Sequence, residues 1–272
     1  MDLRKFGITR EQALLGAGLF DYQPFILSDD IQTGIAYDWL YGDTDRYGFH
    51  DPHRYVVKRN EVDSGTWQRF VSANAILRNM YEQWIDAISS TARHKESVVD
   101  IACNTGYFLQ GLAQRGFKVC TGYDRFDKSR AFHLLNTLTG ANVRFQHEMY
   151  NSWTHTVKGC QPADVVIASA IMVHISDPLY FLRFLGDITR DTLFLFTSVA
   201  HSEDYSIRYH PPNKYYKADE FPVCFDVNWI SIPLLMLGLD RVGFREIVEL
   251  QRDDSWLPQE WCRDYKFLIC QK

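Results

Sequence analysis

The residues best equipped for chemistry in this sequence fall in one stretch, Val98 to Asp124, reading VVDIACNTGYFLQGLAQRGFKVCTGYD. Asp100, Ala102, Asn104 and Gly106 recur at every second position, and Asp124 closes the stretch. The apolar run Val98 to Ala102 predicts a buried parallel strand. Cys103 to Gly106 reads as a loop, Tyr107 to Arg115 places Phe108, Leu109 and Leu112 at helical spacing, and Val119 to Tyr123 predicts a second strand ending on Asp124. A strand entering a helix through a tight loop, with a carboxylate after the next strand, is the plan of a nucleotide site. Loop amides and the helix N-terminus meet the ligand, and the carboxylate takes the ribose hydroxyls. Only Gly106 remains of the G-x-G-x-x-G pattern that a pyrophosphate needs, which argues against NAD. Ala102 is small, Asn104 tolerates positive φ and Gly106 has no side chain to obstruct a ligand, so the loop can still close on something.

These residues resemble the first motif of the class I S-adenosylmethionine-dependent methyltransferases, D/E-x-G/A-x-G/N-x-G, at Asp100, Ala102, Asn104 and Gly106. The resemblance implies S-adenosyl-L-methionine as cofactor, with Asp100 orienting the loop and the methionine end, Gly106 against the cofactor and Asp124 on the ribose. It continues at QHEMY, Gln146 to Tyr150, and implies Glu148 as acceptor for the adenine amine and Met149 as a backbone donor to a ring nitrogen. It also implies a Rossmann-like class I methyltransferase fold: a seven-stranded, mostly parallel sheet with an antiparallel last strand and an N-terminal helical or loop cap.

Two further segments are similar to a subset related to the wobble-uridine carboxymethyltransferases of tRNA. FILSDDIQTGI, Phe25 to Ile35, is loop-like and resembles an L-x-D-G-x-x-T element that closes over the donor end, which makes Gln32 and Thr33 contacts for cofactor or substrate. It departs from that pattern at Asp30, where glycine is expected, and an ordinary surface loop bonding its own backbone through Asp29 and Thr33 stands beside this reading. Asn228 to Pro233 resembles the subset's N-x-W-x-x-P segment.

Other elements must position this stretch. Arg10 to Leu19 suggests a short helix, and from Thr66 a long amphipathic helix carries Phe70, Ala73, Leu77, Met80, Trp84 and Ile88, to pack on the sheet's edge. Ser129 to Leu138 reads as helix, and Val143 to Phe145, Asp164 to Ala168 and Thr192 to Val199 as strands. Asp177 and Pro178 suit the start of a helix with Phe181, Leu182, Leu185 and Ile188 on its apolar stripe. Trp229 to Leu239 returns to helix, and Glu246 to Leu250 and Tyr265 to Cys270 form the closing strands. The expected organisation is an extension over residues 1–95 and a catalytic domain over 96–272, with a substrate loop at about 200–228.

The cluster His50, Asp51 and His53 invites a metal reading, but the proline between them gives no reason for convergence, and a solvated loop or lid is preferred. No metal is expected. The chain's 272 residues, 46% apolar and 23% charged, suit a folded domain with ample core. Its net charge of -5 disfavours a broad nucleic-acid face, while leaving a local basic patch open. The 6 cysteines lack C-x-x-C spacing and read as reduced, which points to the cytoplasm. No segment suits a membrane span. A homodimer is compatible with all of this.

Methyl transfer needs alignment and exclusion of water before it needs any one catalytic group. An alcohol acceptor would benefit from a base, for which His174, His201, His210 and Tyr209 are candidates; His174 equally suits a structural place near the cofactor. The reading is a methyltransferase acting at oxygen or nitrogen of a small molecule such as a sugar or natural product. Beside it stand a tRNA-modifying methyl- or carboxymethyltransferase and a non-catalytic cofactor-binding protein.

Overall fold

Strands whose side chains are apolar on both faces must be covered on both faces, and this requirement shapes the molecule. The computed structural model describes residues 3–17, 23–34, 56–209, 228–251 and 265–272. The chain starts with α1 (Arg10–Ala17), the antiparallel hairpin β1 (Ile26–Ser28) and β2 (Ile31–Thr33), and β3 (Val56–Lys58), which adds to β2. Next comes α2 (Ser64–Thr91), whose first turn is capped by Asp63, with the Thr66 amide donating to its carboxylate at 2.9 Å. Then follow β4 (Ser97–Ile101), α3 (Tyr107–Gln114), β5 (Val119–Asp124), α4 (Ser129–Thr139) and β6 (Arg144–His147). A short ribbon, β7 (Tyr150–Asn151) and β8 (Thr156–Val157), leads to β9 (Ala163–Ser169), α5 (Pro178–Ile188) and β10 (Thr189–Ala200). The chain closes with β11 (Ile207–Tyr209), β12 (Asn228–Ser231), α6 (Ile232–Arg241), β13 (Glu246–Glu249) and β14 (Tyr265–Gln271).

Seven of these strands form the central sheet in the order β6-β5-β4-β9-β10-β14-β13, with β14 antiparallel to both its neighbours and the others parallel. This is the mostly parallel α/β sheet with an antiparallel last strand that the sequence leads one to expect. Strand order reverses between β4 and β9, so the crevice beyond their carboxyl ends is where an open α/β sheet binds ligands. β12 adds a feature of its own. It runs parallel to the last residues of β10, pairing at Val199 and Ala200 past the end of β14, and carries β11 antiparallel on its outer edge.

One apolar layer joins α5 and α6 to the sheet through Phe181, Leu185, Leu235 and Leu239, while the opposite layer joins α2 and α3 through Trp84, Ile85, Ile88, Phe108 and Leu109. The long helix thus lies on a face of the sheet and not along its edge. Its Trp84 ring stacks on Phe267 of β14 at 4.4 Å and sits 5.9 Å from Phe194 of β10. A third cluster packs α1 and the β1–β2 hairpin on α4 through Ala13, Leu27, Ile31, Leu134 and Leu135.

Two local expectations give way. Phe25 to Ile35, expected as a loop, contains the hairpin with Asp29 and Asp30 at its turn; its strands are too short for alternation to show. Asp30 is absent from the positive-φ residues, so glycine's conformational freedom is unused there, and its carboxylate meets Arg10 at 3.0 Å. Trp229 opens no helix: Asn228 to Ser231 is a buried strand, and the helix waits for Ile232 and Pro233, a proline suited to a first turn.

Replacing Trp84 by alanine would remove a ring shared between α2 and three other elements. The expected loss is about 3–5 kcal/mol in urea unfolding; a loss below about 1 kcal/mol would mean that α2 is not part of this core.

Candidate functional site

The loop leaving β4 bends through three left-handed residues, Ala102 (φ 60), Asn104 (φ 52) and Gly106 (φ 80). For Ala102, and less so for Asn104, this conformation costs roughly 1–2 kcal/mol, so neighbouring contacts must impose it. They do. The Cys103 amide donates to the Tyr123 carbonyl at 3.0 Å and the Gly106 amide to the Cys103 carbonyl at 2.9 Å. The Asn104 amide donates to Asp124 Oδ2 at 2.9 Å, while Asp124 Oδ1 accepts from the Phe126 amide at 2.8 Å. Gly106 has a second reason to be glycine: a Cβ there would lie 2.7 Å from the Phe132 ring of α4. The space its missing side chain leaves is therefore filled by Phe132, where the sequence suggested room for a ligand.

Asp100 and Asp124 sit near the carboxyl ends of adjacent strands, and both are buried. Asp100 Oδ1 has no hydrogen-bond partner among the described residues. Burial, and then the charge of Asp124, push the Asp100 carboxyl well above its ordinary range. Burial also raises Asp124, opposed by the amides of Phe126 and Asn104 and, more weakly, by Lys128 and Arg125. The Tyr81 phenol on α2 is raised by burial and by the charge of Asp100, and the Cys103 thiol by burial and both carboxyls. This end of the sheet is thus rich in acceptors, and what would stabilise it is a ligand bringing hydroxyl or ammonium donors. A fourth unusual backbone lies across the switch point: Ala170, just past β9, has φ 58, and its amide donates to the Phe196 carbonyl at 3.0 Å.

Gln23 has no counterpart in the sequence reading, yet it grips the loop. Its Oε1 accepts from Thr105 Oγ1 at 2.5 Å and from the Tyr107 amide at 3.2 Å, and its Nε2 donates to the Cys103 carbonyl at 3.3 Å. Thr33 is fully buried and ties this segment to the hairpin, donating to the Gln23 carbonyl at 2.8 Å and accepting from the Phe25 amide at 3.1 Å. Gln32 is buried with no partner for Oε1 among the described residues. The segment is therefore no surface loop.

Past β6, Glu148 stands 3.6 Å from Lys158 and Met149 is 39% exposed. His174 lies in a short 3-10 turn, Met172–His174, after β9; burial, then the charge of Arg125, push its imidazole down to about 4. It is neutral at ordinary pH and a weak base. Asn228 holds that turn, its Nδ2 lying 2.6 Å from the Ile175 carbonyl and 3.1 Å from those of Met172 and Val173. Tyr209 donates its hydroxyl to the Ser176 carbonyl at 2.8 Å, so β11 joins the same neighbourhood. His201 is exposed after β10. His210, the His50–His53 cluster and most of the 200–228 segment lie outside the described residues. Asp177 precedes α5 as expected but makes no side-chain cap bond, its carboxylate accepting instead from Ser176 Oγ at 3.3 Å.

A methyltransferase domain family matches residues 74–244 of the chain. The tRNA U34 carboxymethyltransferase of Campylobacter jejuni subsp. jejuni serotype O:6 is 27% identical over 201 residues, which cover 70% of this chain and 63% of that protein. The protein of the same name from Wolinella succinogenes is 24% identical over 182 residues, covering 62% of each chain. The chain therefore spans less than two thirds of the length of these curated relatives. Among solved structures, the N-terminal domain of EvdMO1 with SAH bound aligns with a TM-score of 0.53 and 14% identity, over 71% of this chain and 80% of that one, a likeness of fold. None of the helices among the described residues is long and apolar enough to cross a membrane.

The raised Asp100 carboxyl makes a prediction about the ligand-free protein. A carboxyl favoured in its protonated form by folding contributes stability below its unfolded value, and that contribution is lost as pH rises through the folded value. Asp100→Asn removes the ionisation, so its melting temperature should equal or trail the unaltered protein's in acid and exceed it by several degrees near neutrality. A difference that does not change with pH would show that Asp100 is not strained by its burial.

Proposed function

The chain belongs to the methyltransferase domain family, and on that premise we propose that it transfers a methyl group from S-adenosylmethionine to an oxygen or nitrogen of a small molecule. The observation that carries this reading is the pair of buried carboxyls, Asp100 and Asp124, set around a left-handed loop at the sheet's switch point. The cofactor matches that need, because its ribose hydroxyls and ammonium group are donors and its ammonium is cationic. Asp124 would hold the ribose, and Asp100 would orient the loop and the methionine end. Glu148 and Met149, following β6, would border the adenine; Gln32 of the hairpin would stand towards the donor end, while Thr33, its hydroxyl bonded within the segment, would brace the hairpin. When bound, the cofactor supplies an electrophilic methyl group on sulfur.

The chain's own residues then have to align the acceptor and keep water out. His174 is suited to accepting a hydrogen bond from the acceptor in its neutral form, and its depressed basicity argues against a full proton transfer to it. Tyr209, whose hydroxyl already donates to Ser176, would shape the acceptor side of the site and not serve as a base. The small-molecule acceptor is favoured by the net charge of -5 and by the aromatic sequence of residues 200–228. The tRNA reading is favoured by the curated relatives.

Asp124→Ala should weaken binding of S-adenosylhomocysteine at least about tenfold in calorimetry, as expected for lost hydrogen bonds to a charged group, and abolish turnover. Asp124→Asn, which can still accept from the Asn104 amide, should also lose affinity; full affinity in both variants would reject the ribose assignment. The acceptor class separates on a second measurement. Absence of tRNA binding at low salt supports the small-molecule reading, whereas salt-sensitive tRNA binding would replace it with the other.

A further inference from the structure

The first turn of α3 has an unusual cap. Its N-cap position is Gly106, which has no side chain to offer, so the Tyr107 amide would ordinarily look to solvent or ligand. Instead Gln23 Oε1 accepts from that amide at 3.2 Å and from Thr105 Oγ1 at 2.5 Å, and Gln23 Nε2 reaches the Cys103 carbonyl at 3.3 Å. One side chain, itself only 6% exposed, therefore bonds three consecutive parts of the loop: its beginning, its end and the helix that follows. It arrives from a distant part of the chain, and its own backbone is fixed. The Gln23 carbonyl accepts from the buried Thr33 hydroxyl at 2.8 Å, and next to it the Pro24 carbonyl accepts from Arg78 Nε at 3.3 Å. The Phe25 ring then closes on Tyr107, with centroids 4.8 Å apart.

We propose that Gln23 is a positioning residue for the cofactor loop, a cap supplied from the distant N-terminal segment of the same chain that holds Ala102 to Tyr107 in its left-handed, ligand-ready course. The proposal rests on the cofactor reading of that loop. Its physical content is specific. Two residues of the loop other than glycine, Ala102 and Asn104, occupy a costly backbone conformation, and the Cys103 and Thr105 groups that Gln23 holds directly follow them, one after each. Without these bonds the loop has other conformations open to it, and a ligand that needs one of them binds more weakly by the fraction of time that one is lost. The same bonds tie the N-terminal segment to the cofactor loop.

The test uses the full chain and S-adenosylhomocysteine in titration calorimetry, with melting temperature read in parallel. Gln23→Met keeps length and removes both hydrogen-bonding functions, and it should weaken binding about tenfold. Gln23→Glu keeps the accepting oxygen for Thr105 and Tyr107 but can donate to the Cys103 carbonyl only when protonated, so measured against the unaltered protein at the same pH it should recover affinity in acid and lose it as it ionises, a pH dependence that a merely space-filling role would not show. Should Gln23→Met fail to fold, Thr105→Val carries the test: it removes only the hydroxyl donor and should weaken binding about threefold to tenfold. In the double variant the Thr105 change should add little to that of Gln23, because both remove the same bond. With turnover assayed, KM for the cofactor should rise in Gln23→Met with kcat reduced far less. Unchanged or tighter binding in Gln23→Met, or in Thr105→Val, would overturn the inference while leaving the proposed function intact. Failure of the unaltered chain to bind the probe would instead overturn the proposed function, and this inference with it.

Discussion

A carboxyl buried without a partner is costly in its charged form, and the Asp100 carboxyl at the centre of this sheet has an oxygen in that condition among the described residues. The second carboxyl, Asp124, raises the cost further and is itself engaged by two loop amides. Because those amides belong to the turn after β4 and to the residue after Arg125, Asp124 also fixes the shape of the loop between the strands. The arrangement is poor in stability and rich in acceptors, as expected of a site whose missing donors come from a ligand.

The strain around that pair is contained by packing on both sides. Phe132 fills the space beside Gly106, and Tyr81, Tyr107 and Phe108 form a ring cluster with centroids about 5 Å apart, 5.0 Å for each contact of Tyr81, that seats α3 on α2. On the other side of the switch point, Asn228 secures the turn carrying His174, and β12 secures Asn228. The left-handed residues Ala102, Asn104 and Ala170 thus stand at the carboxyl ends of neighbouring strands; the amides of Asn104 and Ala170 bond to a strand beyond their own, and so does that of Cys103, which follows Ala102. Such concentration of backbone strain at one crevice is a sign of function more than of fold.

The β4–α3–β5 unit was legible in the sequence because its signals are local: an apolar run, helical spacing and a carboxylate at a strand end. Asn104 reads from its residue type as tolerant of the left-handed conformation it adopts, whereas Ala102 reads only as small, since nothing in a local window shows that Asp124 and Tyr123 bend the chain there. The β1–β2 hairpin escaped because three-residue strands leave no periodicity to read. Gln23 escaped for a stronger reason. A lone glutamine before a proline carries no signal, and its partners are Cys103, Thr105 and Tyr107, far along the chain. The placement of α2 over a face was likewise decided by Trp84 meeting rings on β10 and β14, contacts that its own amphipathic pattern leaves unspecified.

The most direct measurement is the pH dependence of S-adenosylhomocysteine affinity in the unaltered protein, by calorimetry in buffers of differing ionisation enthalpy. A cationic ammonium entering beside carboxyls whose proton affinity burial has raised should expel protons, so affinity should rise with pH from mildly acid conditions and level off once those carboxyls are ionised before binding. Affinity that stays flat over that range, with no protons released, would contradict the claim that the buried acid pair is the seat of the cofactor.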